Sequence, residues 1–87
     1  MTIDMDTRLT VYRTKDLGEA GALLASKAKL LRLERESSFY WFIFENKILC
    51  EELSNSYWND QLQVSAKTYS NALKELKDRL FSRGGSL

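Results

Sequence analysis

The chain of 87 residues has no histidine, no proline, one cysteine and four glycines. Each shortage removes a class of explanation. Without histidine, both the commonest metal ligand and the commonest general base are missing. Cys50 alone cannot close an internal disulfide, so a reducing compartment is expected rather than a secreted disulfide scaffold. Its place beside Leu49 and Leu53 in a helical stretch makes it a packing residue. One thiol and scattered carboxylates give no zinc-ligand spacing. Neither a phosphate-cradling glycine loop nor a nucleophile motif is present. Glu51 and Glu52, adjacent on a helix, point about 100° apart and form no dyad. An enzyme is therefore not expected, and neither is a cofactor.

No apolar run approaches the length of a membrane span. The opening "MTIDMDTRLT" lacks the basic and apolar regions of a signal peptide. The expectation is a soluble, cytoplasmic protein that engages no membrane. Charge is nearly balanced, at +1 overall, but it is laid out in blocks. Residues 8–35 carry seven basic and three acidic side chains, 36–60 one basic and five acidic, and 61–87 five basic and two acidic. The balance is less basic than that of many dedicated nucleic-acid binders.

What is present is enough for one core: 44% of residues are hydrophobic and 11% aromatic. A single domain over residues 8–81 is expected, with flexible ends at 1–7 and 82–87. "RLTVYRT" alternates as a short strand, with Leu9 and Val11 on one side and Thr10 and Tyr12 on the other. "KDLGEAGALLASKAK" reads as a helix capped by Thr14 or Asp16, with Leu17, Ala20, Leu24 and Ala28 at helical spacing. Gly18 and Gly21 within it suggest a close approach to the sheet. "LLRLERE" and "FYWFIFE" form a hairpin across "ESS". Asn46 caps a further helix, whose inward stripe reads Leu49, Leu53 and Tyr57. "LQV" at 62–64 reads as a minimal strand. Ser65 caps the last helix, with a stripe of Tyr69, Ala72, Leu73, Leu76 and Leu80.

The resulting order, β-α-β-β-α-β with an additional C-terminal helix, implies an α+β, ferredoxin-like antiparallel sheet with helices on one face. The other face is the candidate working surface. Successive side chains of "FYWFIF" alternate between faces. A two-residue turn at Glu36-Ser37 or Ser37-Ser38 joins Leu31 and Leu33 to Tyr40, Phe42 and Phe44 as one core face. A three-residue turn would join them to Trp41 and Ile43 instead. The first register leaves Phe39, Trp41 and Ile43 among charges on the open face. The last helix competes for that face, because Tyr69, Leu73, Leu76 and Leu80 packed on Trp41 and Ile43 would make the aromatics plain core.

This element order, with Phe39 and Trp41 at the outward and Phe42 and Phe44 at the inward positions of "SSFYWFIF", resembles the RNA-recognition-motif domain. The resemblance implies Phe39 and Trp41 as stacking rings, with Tyr12 on the first strand as another. It departs from that pattern at Ser37, Ser38 and Tyr40, where a basic residue, a glycine and a small residue stand in the motif. The whole layout is similar to a group of short uncharacterised bacterial and phage proteins, through "YRTKDL", "FIFE", "CEEL" and "ALKELKDRLF" over residues 11–81. That likeness implies no activity. Two partner classes follow for the same face. Single-stranded nucleic acid would stack on Tyr12, Phe39 and Trp41, with Arg13, Lys15 and Arg32 on phosphates, at roughly 1–3 kcal/mol per stacked base. A protein partner, either a second copy of the chain in a sheet-to-sheet homodimer or an enzyme that the chain, as a small phage or mobile-element inhibitor, docks on, would use Phe39, Trp41 and Ile43 with the charges as a rim.

Overall fold

The structure, a computed structural model, describes residues 11–84. It contains β1 (Val11–Thr14), α1 (Leu17–Ala25), β2 (Leu30–Glu36), β3 (Phe39–Glu45), α2 (Lys47–Trp58) and α3 (Ala66–Gly84). The strands form one antiparallel sheet in the order β1-β3-β2. The fold is therefore α+β, with the order β-α-β-β-α-α. The ferredoxin-like expectation of a fourth strand at 62–64 is corrected, because that segment is irregular chain. Its start is committed to the end of α2: the amides of Gln61 and Leu62 both donate to the Ser56 carbonyl, at 2.8 and 3.1 Å. Of the expected flexible ends, 1–7 and 85–87 lie outside the described residues, and 82–84 continue α3.

Local chemistry explains where the helices begin and end. Asp16 caps α1, its Oδ1 accepting from the Glu19 amide at 2.7 Å. Asn46 caps α2 from the left-handed region (φ 72°), accepting from the Leu49 amide at 3.1 Å. The Ser65 hydroxyl accepts from the Thr68 amide at 3.1 Å and so caps α3. At the far end of α1, Lys27 takes φ 77° and its amide bonds to the Leu24 carbonyl, while Ala28 bonds back to Leu23. This is a Schellman turn. The accompanying apolar contact joins two core residues, Leu23 and Ala28. Asp60 (φ 62°) closes α2 by the same bonding pattern.

The hairpin turns on Ser37-Ser38, between the pair Glu36 and Phe39. Ser37 adopts φ 52°, as the first residue of a two-residue hairpin turn requires. Leu33 then faces Phe42 as expected, but a bulge between Leu30 and Arg32 changes the next partner. Leu30, not Leu31, lies opposite Phe44, and Leu31 becomes the extra residue.

All three helices cover the face that carries Leu33, Phe42 and Phe44. Ala20 and Leu23 of α1, Cys50 of α2 and Leu76 of α3 share one core cluster with those residues. The last helix thus lies beside α1 in the helix layer rather than over Trp41 and Ile43. The α3 stripe is as expected, with Ala72 and Leu76 buried. The α2 stripe is rotated: Leu49 is exposed, while Cys50 and Ser54 are buried. The two glycines admit helices rather than the sheet. A Cβ on Gly21 would stand 2.6 Å from Leu73 Cδ2, and one on Gly18 would stand 2.6 Å from the Tyr57 hydroxyl.

Candidate functional site

Residues directly opposite each other in an antiparallel pair share a face. β1 pairs Arg13 with Ile43, and β2 pairs Arg32 with Ile43 and Glu34 with Trp41. The second face of the sheet therefore carries Arg13, Arg32, Glu34, Glu36, Phe39, Trp41 and Ile43. Six of the seven residues expected at the site come together here: Arg13, Lys15, Arg32, Phe39, Trp41 and Ile43. No described helix packs on this face.

Its contacts form one network. The Phe39 and Trp41 rings meet edge to face, with centroids 5.5 Å apart. The Trp41 indole N–H donates to Glu36 Oε1 at 2.6 Å, which fixes the ring's orientation. The Arg13 guanidinium lies 5.1 Å from the Trp41 centroid, and Lys15 Nζ lies 4.7 Å from that of Phe39. Both are cation–π distances. Glu34 ties the edges together, 3.6 Å from Arg13 and 2.8 Å from Arg32 Nε. Phe39 and Trp41 are half-buried, and Arg13, Lys15 and Arg32 are exposed. Ile43 is 0% exposed, so it offers no surface of its own. On the helix side of the sheet, behind Phe39, a hollow of about 270 Å³ opens, lined by Lys15, Leu17, Tyr40, Phe42 and Leu80 among others.

Tyr12 is the seventh residue, and its placement is corrected. It pairs with Phe44 and so faces the helices. Its hydroxyl donates to Glu19 Oε2 at 2.6 Å and lies 3.0 Å from Ser54 Oγ. The Thr14 hydroxyl donates to Glu19 Oε1 at 2.8 Å. A buried carboxylate, 5% exposed, is thus held by two hydroxyl groups of β1, with Ser54 of α2 beside the Tyr12 hydroxyl. Burial pushes the Glu19 carboxyl up, but hydrogen bonding, including that from the Tyr12 and Thr14 hydroxyls, outweighs it and holds it below the ordinary Glu value. Burial, then the bond to Glu19, raises the Tyr12 phenol.

Sequence reasoning missed this cluster. Asp16 followed three residues later by Glu19 reads as a helix-start signature, which hides the burial of Glu19. The alternation of Tyr12 and Thr14 along one side of the strand was the available signal. Cys50 is fully buried and its Sγ lies 3.5 Å from the Glu45 carbonyl. Burial, followed by the Glu19 charge, pushes its thiol up to about 11, which suits the expected packing role. Among the described residues, no group of three His, Cys, Asp or Glu side chains is placed to hold a metal, and no helix is long and apolar enough to cross a membrane.

No curated protein and no solved structure matches the chain. The family model of a domain of unknown function, DUF5659, matches residues 10–82. With that match spanning the whole described sheet and most of the helix layer, the chain belongs to the DUF5659 family.

Proposed function

We propose that the chain is a small non-catalytic binding module whose working surface is the second face of the sheet, and that this face docks a protein. The observation that carries the reading is the fixed Trp41 ring, held by Glu36, capped by Arg13 and set among charges of both signs. Protein interfaces concentrate their binding energy in such preorganised Trp and Arg side chains within a polar rim.

Single-stranded nucleic acid is the other reading of the same surface. The withdrawal of Tyr12 removes one stacking ring. Glu34 and Glu36, among the cations, repel phosphates where phosphates would have to run. Lys15 over Phe39 is the feature that still favours it.

The test compares wild type with Trp41→Ala. A protein captured by the wild type is purified, and the two components are mixed and analysed by light scattering. The docking reading expects a stoichiometric complex that Trp41→Ala weakens at least tenfold, since such anchors contribute about 2 kcal/mol or more. Tryptophan quenching by an oligonucleotide at low salt, where phosphate contacts are strongest, would establish the nucleic-acid reading if Trp41→Ala abolished it.

A further inference from the structure

We propose that β2 is a self-pairing edge: two copies of the chain join antiparallel about Leu33, and their sheets fuse into one. The inference concerns the edge of the sheet and does not depend on what docks on its face.

With β3 in the centre of the sheet, β2 is bonded on one side only among the described residues. It has seven residues against four in β1, the other edge. Its free hydrogen-bonding groups follow from the hairpin. The pair flanking a two-residue turn exchanges both of its bonds, and bonded and non-bonded pairs then alternate. Glu36 and Phe39 are that pair. Glu34 and Arg32 therefore bond inward to β3, and Arg35 and Leu33 direct their amide and carbonyl groups outward. An edge presenting such a row pairs with another strand unless its side chains forbid it.

The side chains here favour one register. With the two-fold axis at Leu33, Leu33 bonds to its own copy. Arg32 then stands opposite Glu34 of the second chain, twice over by symmetry. That pair falls at a non-bonded position, where opposed side chains come closest. Shifting the register either way by one repeat of the ladder sets Arg32 against Arg32, or Glu34 against Glu34. Charge thus selects the Leu33-centred register and penalises both neighbours.

The opposite face of the edge has room for the rest. Between β2 and α3 lies a groove of about 390 Å³, whose lining includes Leu31, Leu33 and the Glu75–Arg79 ion pair. In the same register Arg35 of the second chain stands opposite Leu31, at the mouth of this groove. The bulge at Leu31 ends the regular edge and confines the ladder to residues 31–35. Within one chain Arg32 already lies 2.8 Å from Glu34. Dimerisation extends that pair into a continuous row of alternating charges, with Arg13 at each end.

Charge reversal tests the register directly. Light scattering and sedimentation across a concentration series should show wild type at twice the chain mass. Glu34→Arg and Arg32→Glu should each weaken self-association at least about tenfold, because like charges then face each other at both symmetric positions. An equimolar mixture of the two variants should form a heterodimer, and the double variant R32E/E34R should recover the homodimer. A wild type that stays monomeric throughout overturns the proposal. So does a dimer indifferent to both single reversals, or one that neither the mixture nor the double variant restores.

Discussion

Glu19 shows what a single side chain costs and supplies in this core. Its carboxylate is buried against hydroxyl groups that stabilise the charged form. Because the folded value lies below the ordinary 4.5, the contribution is complete above about pH 4.5 and is lost as pH falls through the folded value. Glu19→Gln should cost about 1–3 kcal/mol at neutral pH. Urea midpoints should also show less acid sensitivity in the variant than in wild type below about pH 4.5. Tyr12→Phe, which leaves the carboxylate short of a donor, should cost about 1–3 kcal/mol as well. Its effect on binding at the sheet face should be negligible, because Tyr12 lies on the other side. Trp41→Ala should show the reverse pattern.

At the scale of elements, the caps and turns carry the clearest consequences. Lys27 adopts φ 77° without the glycine that such a position favours. Left-handed backbone costs an ordinary residue about 1–2 kcal/mol, and glycine's extra freedom when unfolded offsets part of the gain. Lys27→Gly should raise the thermal midpoint, with a net gain of about 0.5–1 kcal/mol in denaturant titrations. Ser65→Ala removes the cap of α3 and should cost about 1 kcal/mol by the same measurement. Gly21→Leu drives a side chain into Leu73, and overpacking of this kind should cost about 1–3 kcal/mol. These features are local, and so Asp16, Asn46, Ser65 and the α3 stripe were legible in the sequence. The rotation of α2 was not, because the tie between Ser54 and Tyr12 joins residues far apart in the chain.

For the whole molecule, the division between legible and hidden features follows strand pairing. The parity of Phe39, Trp41 and Phe42 could be read from a seven-residue alternation and the hairpin turn. The facing of Tyr12 could not, since four residues of β1 acquire a side only through their register with β3. "LQV" alternates like a strand, yet three residues carry too little pattern to outweigh the bonds that hold their approach to α2. Where the last helix packs was equally non-local. Leu76 is 0% exposed and belongs to the core cluster, so a chain ending at Ser65 should lose cooperative unfolding by circular dichroism. Cys50 makes that cooperativity measurable without any added probe. It is the only thiol in the chain and is fully buried. Thiolate, not thiol, reacts with alkylating or disulfide reagents. Labelling at mildly alkaline pH therefore proceeds only when the helix layer parts from the sheet, and its rate serves as a built-in clock for that opening.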